Sequence, residues 1–225
     1  MWQENEEKKP IADNSDMAEL SFSVDCKELP YDHAYELSSE ILNLVPEIKK
    51  DKRNAIQTLH GPMSGNGWVR PDSENIPLSK RAKLIMRINR NQLDDIKNIE
   101  GKEITLFGNT LKIGRSKVKS FLVVKDLFCR FVMSDQKLSE DDFLNKIQNE
   151  LSDLHINIRK ALCGRSMVIN FGEKTLYTRS LMIADLSKEE SLKLQEEGVG
   201  DKKLYGCGIF LPHKSIDAVN NFRED

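Results

Sequence analysis

Histidine is the side chain whose ordinary pKa lies near neutrality, and this 225-residue chain has four: His33, His60, His155 and His213. His33 stands in the run Pro30-Tyr31-Asp32-His33-Ala34-Tyr35, at the predicted start of a helix, where terminal N–H groups suit a phosphate. His60 ends a short apolar run and opens HGPMSGNGWVRPDSENIP, a long glycine- and proline-rich loop. His155 follows an amphipathic stretch and reads as structural, and His213 follows the apolar run IFLP. A second stretch with chemical potential is LQEEGVGDKKLYGCGIFLP, residues 194–212. It holds Gly198, Gly200, Gly206 and Gly208, with Lys202 and Lys203 just before the last pair. Glycine lets a ligand approach the main chain, and exposed N–H groups beside lysines suit a phosphate-rich ligand. The spacing is neither G-x-G-x-x-G nor G-x-x-x-x-G-K-[ST], so no nucleotide cofactor is expected. No H-x-x-x-H, no D-x-D and no cluster of carboxylates on one strand is present, so no metal is expected either. Cys26, Cys129, Cys163 and Cys207 are scattered without a C-x-x-C, and Ser64 does not sit in G-x-S-x-G.

The net charge is -2, which by itself argues against a nucleic-acid binder, but the charge is unevenly placed. Residues 79–119 carry eleven Lys and Arg against four acids. Local patches, not the sum, steer nucleic acids. Arg87 and Arg90 close a predicted strand. Arg115, Lys117 and Lys119 alternate, so on an extended segment they form one row of positive charge. Arg159 and Lys160, with Arg165, make a smaller patch, and Trp68 in the long loop is placed to stack on a base. The sequence has no signal-type or membrane-spanning run, and an intracellular, cytoplasmic protein without a membrane partner is expected.

The elements that must hold these residues follow from periodicity. Residues 1–17 are polar and acidic and read as disordered. Residues 20–24 alternate as a strand. Asp32 is the expected cap of a helix over 33–44, with Ala34, Leu37, Ile41 and Leu44 on one face. Strands are expected at 55–59 and 82–88, then a short helix at 92–99. Two further strands, 104–107 and 110–113, flank a Gly108-Asn109 hairpin turn. The pattern then repeats: strand material at 118–124 and 127–133, a helix capped by Ser139, strands at 156–161, 166–170 and 176–184, a helix capped by Ser187, and a last strand at 209–211. The fold class is therefore α+β: tandem ferredoxin-like (β-α-β-β-α-β) units, 18–116 and 117–212, the second carrying a glycine-rich loop at 198–208 and followed by a polar tail, 213–225.

Two stretches also carry a family resemblance. SLKLQEEGVGDKKLYGCGIFLP resembles the C-terminal glycine-rich loop of the CRISPR repeat-processing endoribonucleases, which belong to the repeat-associated mysterious protein superfamily. LSFSVDCKELPYDHAYELSSEI resembles the first strand and helix of their myxobacterial-type subgroup. The resemblance spans residues 17–212. It implies an endoribonuclease that cuts repeat RNA in CRISPR precursor transcripts without a metal or cofactor. The 2′-OH attacks the adjacent phosphate, leaving a 2′,3′-cyclic phosphate and a 5′-OH. It implies a catalytic histidine in or near the first helix, which puts His33 ahead of His60, and a role for Tyr31 or Tyr35. With an RNA substrate, the G-x-G beside the two lysines makes Lys202, Lys203, Gly206 and Gly208 the expected backbone contacts. The same fold also serves non-catalytic guide-RNA-binding subunits of CRISPR effector complexes, so that reading stays open, as does a general RNA-binding protein.

Overall fold

The computed structural model describes residues 15–60 and 75–213. The long loop with Trp68, most of the acidic N-terminus and the polar tail after His213 lie outside the described residues. Strand β1 (Met17–Asp25) is followed by β2 (Glu28–Pro30), α1 (Ala34–Leu44), β3 (Ala55–Ile56), β4 (Asn75–Pro77), β5 (Lys83–Asn89), α2 (Leu93–Lys97), β6 (Glu103–Leu106) and β7 (Asn109–Lys119). Then come β8 (Leu127–Ser134), α3 (Glu140–Asp153), β9 (Lys160–Phe171), β10 (Lys174–Ala184), α4 (Lys188–Glu197) and β11 (Phe210–Pro212). The fold is mixed α+β and built on antiparallel sheets of ferredoxin type. One sheet runs β3-β5-β1-β7-β6, the other β11-β8-β10-β9, and β2 pairs with β4 in a small third sheet.

Alternation in the strands decides which side chains meet the helices. Leu20, Phe22 and Val24 of β1 join Leu37 and Ile41 of α1 in one buried cluster. Glu19, Ser21 and Ser23 therefore face the other way, and cross-strand pairing sets Glu19 between Arg87 and Lys119 on the face opposite α1. In the second sheet Leu127, Cys129 and Val132 of β8 pack with Phe143, Ile147 and Leu151 of α3. Phe128 and Arg130, out of phase with Leu127 and Cys129, project from the opposite face.

Several local expectations are borne out and several are corrected. The Ser139 side chain accepts the Asp142 N–H at the start of α3, and Ser187 and Glu190 form a reciprocal capping box on α4. Asp32 does not cap α1; its carboxylate accepts the Asn170 N–H instead, tying α1 to the end of β9. The hairpin turn is Phe107-Gly108, not Gly108-Asn109, because Asn109 already pairs with Leu106 and both turn residues take positive φ, 49° and 79°. The material expected as strands at 110–113 and 118–124 is one strand, β7, ending at Lys119, so residues 116 and 117, where the sequence suggested a boundary, are neighbours within it. Likewise 156–161 and 166–170 give the single strand β9.

Candidate active site

Three of the chemically capable side chains converge at the seam between the two larger sheets. His60 follows β3, Tyr31 follows β2 and Arg130 comes from β8. An Nη1–H of Arg130 donates to His60 Nδ1 at 3.0 Å, and an Nη2–H donates to the Tyr31 hydroxyl. The guanidinium also lies over the rings of Tyr31 and Phe131, at 4.9 and 5.1 Å from their centroids. Because Nδ1 of His60 accepts, the neutral ring carries its proton on Nε2. Burial, reinforced by the Arg130 charge, holds His60 down at about 4, so the imidazole is neutral at pH 7. A cavity of about 30 Å³ opens beside it, lined by Thr58, His60, Arg130, Phe131, Gly206 and Ile209.

His33, ranked first from the sequence, is built into the protein interior. It is 1% exposed. Its Nδ1–H donates to the Pro30 carbonyl at 2.8 Å, and its Nε2 accepts the Leu59 N–H at 3.0 Å. Both ring nitrogens are occupied by backbone, and burial pushes the ring to about 4. His33 therefore cannot reach an RNA hydroxyl as placed. It joins the segment before α1 to the residue before His60, which fixes Tyr31 and His60 relative to one another. Tyr35 does not join them: it stacks on Tyr205 at 5.8 Å and meets Phe171 edge-on at 5.0 Å. His155 sits at the end of α3 with φ 60°, and the N–H of His213 donates to the Asp126 carbonyl.

The basic residues separate into two groups. Arg115, Lys117 and Lys119 are exposed and two apart on β7, as the alternation required. Arg87 is the reverse: 1% exposed, it donates to the carbonyls of Gln195 and Phe210 and pairs with Glu19. It ties the two sheets together from the interior, with its donors turned to protein carbonyls. Arg90 donates through Nε to the Ser15 carbonyl. Arg159 pairs with Glu190 and Lys160 with Asp185, each bridge neutralising the charge expected to face RNA.

The 198–208 connection is also corrected. Its N–H groups at the last two glycines are not presented to a ligand. Gly206 N–H donates to Lys203 O, Cys207 N–H to Lys202 O, and Gly208 N–H to Phe131 O at 2.7 Å. Lys203 Nζ donates to the Gly200 carbonyl and Lys202 pairs with Asp201. The glycines serve close packing instead. At Gly206 (φ 81°) a Cβ would stand 2.8 Å from Thr58 Cγ2, and at Gly208 (φ 70°) it would collide with the Val199 carbonyl oxygen. The connection thus presses against the strand end that carries His60.

Arg130 is the member of the site that sequence reasoning missed. Its signal was present: one cation inside LFCRFVM, where an unpaired charge in an apolar strand is costly. Among the described residues no group of three or more His, Cys, Asp or Glu is arranged to hold a metal ion. No helix among them is long and apolar enough to cross a membrane.

With this arrangement described, comparison with known proteins decides the family. The model of the family described as Cas6 Crispr matches residues 18–215. The chain belongs to the Cas6 family. It is 25% identical over 194 residues to a CRISPR-associated endonuclease Cas6 of Myxococcus xanthus, covering 86% of this chain and 80% of that protein. Among solved structures, a Cas6-related protein of Pyrococcus furiosus matches with a TM-score of 0.60 at 15% identity, over 86% of this chain and 97% of the other. A RAMP protein described as binding different RNA substrates matches with a TM-score of 0.62 at 16% identity, over 88% and 100%. At such identities the structural matches speak for the fold: this Cas6-family chain shares its course with theirs across nearly its whole described length.

Proposed function

We propose that this Cas6-family chain is an endoribonuclease of CRISPR repeat RNA that cuts at the seam between two ferredoxin-like units, residues 18–119 and 127–212. The observation that carries the mechanism is the Arg130 guanidinium with His60 at one nitrogen and Tyr31 at the other. In-line displacement at phosphorus needs a base for the attacking 2′-OH and a proton for the departing 5′-oxygen, on opposite sides of the phosphate. His60 is the base, neutral and therefore able to take a proton. Tyr31 is the donor to the 5′-oxygen. The 2′-oxygen bonds to phosphorus, the P–O5′ bond breaks, and the products end in a 2′,3′-cyclic phosphate and a 5′-OH. No step requires a metal or cofactor. Arg115, Lys117 and Lys119 receive the RNA backbone.

The 198–208 connection is the glycine-rich loop of this family, with a packing role in place of the phosphate contact expected of it. The similarity to the Myxococcus protein accords with a place in the myxobacterial-type subgroup, and the proposed working site is the cytoplasm. The test is repeat RNA incubated with the protein in excess EDTA, beside RNA carrying one 2′-deoxy nucleotide before the cut. Cleavage of the first alone, with cyclic phosphate ends, is expected. Cleavage lost with EDTA and regained with magnesium refutes the mechanism. Tight binding of every cognate repeat RNA without cleavage assigns the chain to the non-catalytic subunits.

A further inference from the structure

The surroundings of Arg130 are unusual for a cation. Among the described residues it has no carboxylate partner. It is held by neutral acceptors, the His60 ring and the Tyr31 hydroxyl, and by two aromatic faces. Its Nε is buried and has no hydrogen-bond partner among the described residues. A guanidinium has five N–H donors, and these bonds use two. A half-buried cation with spare donors and only neutral neighbours is matched to an anion, and its planar fork suits phosphate.

We propose that Arg130 is the ligand of the scissile phosphate, and that its bond to His60 is a resting contact which the phosphate must break before His60 can act. The inference rests on His60 being the base. While Arg130 donates to Nδ1, that lone pair is occupied and the other nitrogen carries the proton, so the ring has no site for the 2′-OH proton. A phosphate oxygen bears full charge and accepts from guanidinium more strongly than imidazole does. When the guanidinium turns to it, Nδ1 is released beside the 2′-OH, and the same guanidinium offsets the charge that builds on the non-bridging oxygens. The site is thus switched on by the group it is to cut. RNA that binds the basic strand without delivering a phosphate to the seam meets a histidine that is closed.

The experiment has one arm without substitutions and one with them. In the first, the His60 ring nitrogens of the wild-type protein are followed by NMR while 2′-deoxy repeat RNA is added. Nδ1 is expected to shift as its hydrogen bond is lost, and to stay put when the same RNA carries a neutral methylphosphonate at the scissile position. In the second, Arg130→Gln is expected to cut about a hundredfold to a thousandfold more slowly in single turnover, the scale for losing one oxyanion donor. Its Kd for 2′-deoxy RNA should change only a few-fold, and guanidinium ion should restore part of the rate to Arg130→Ala but none to His60→Ala. An Nδ1 signal unmoved by RNA, or Arg130→Gln cutting at the wild-type rate, overturns the proposal. Wild-type cleavage by His60→Ala overturns the histidine assignment and the resting contact with it, while a slow Arg130→Gln in that case leaves the phosphate ligand standing.

Discussion

Replacing His33 by leucine separates its structural role from a catalytic one. Leucine roughly fills the space but makes neither backbone bond, so the Leu59 N–H and the Pro30 carbonyl are left unpaired in the interior. Each buried orphan costs about 1–3 kcal/mol, so a loss of about 2–6 kcal/mol is expected at pH 7. The pH dependence sharpens the test. Burial holds the folded ring at about 4 against an ordinary 6.5. Because the folded pKa is depressed, the contribution of this neutral ring is full above about 6.5 and fades as pH falls towards 4. At pH 5 the unfolded ring sits about 1.5 pH units below its pKa while the folded one is still mostly neutral. At about 1.36 kcal/mol per unit, wild type has by then lost about 2 kcal/mol that the leucine variant never had. His60 titrates in both proteins, and because burial and the Arg130 charge come ahead of His33 among the causes of its depression, most of its contribution cancels in the difference. Urea unfolding of both at pH 7 and pH 5 should show the gap narrowing by about 2 kcal/mol at the lower pH. A gap that stays constant, or a variant as stable as wild type at pH 7, would refute the reasoning.

Neutralising Arg115, Lys117 and Lys119 together should weaken RNA binding at low salt and reduce the slope of log K against log salt by roughly two, at about 0.7 per phosphate contact for single strands; titrations at several salt concentrations read this directly, and an unchanged slope removes β7 from the RNA surface. Gly208→Ala should lower the thermal midpoint well beyond Gly200→Ala, because an added Cβ meets the Val199 carbonyl at the first position and nothing within 4 Å at the second. Equal melting of the two variants contradicts the packing role. Arg87→Met strands Glu19 and the carbonyls of Gln195 and Phe210, and urea unfolding should show a loss of about 3–5 kcal/mol, the range for breaking a buried ion pair; a change under 1 kcal/mol argues against Arg87 as the tie between the sheets.

Much of the course of the chain was legible because hydrophobic alternation and capping residues are local signals. Ser139 and Ser187 start helices because their side chains accept N–H groups three residues on, which needs no tertiary context. The turn at Phe107-Gly108 was misplaced by one residue because the register of β6 against β7, a pairing property, decides it. The site was legible in its parts and not in its assembly. His60 and Tyr31 were both singled out, but their meeting depends on Arg130, seventy residues beyond His60 in another sheet. His33 looked like the better base because sequence shows proximity to a helix start and not burial. The basic residues divide for the same reason: Lys117 and Arg87 read alike in a charge count, and only cross-sheet packing sends one to solvent and the other into the seam. Glycines 206 and 208 signalled positive φ correctly, yet which partner takes their N–H groups is settled by β8 and the turn before them.

The proposed mechanism assigns the proton transfer at this seam to His60. Single-turnover cleavage of cognate repeat RNA by His60→Ala, in EDTA and at saturating protein, tests it most directly. The variant should bind 2′-deoxy repeat RNA as wild type does and cut the all-ribose RNA at least about a hundredfold more slowly, the usual scale for losing a general base. Cleavage by His60→Ala at the wild-type rate would rule out His60 as the base.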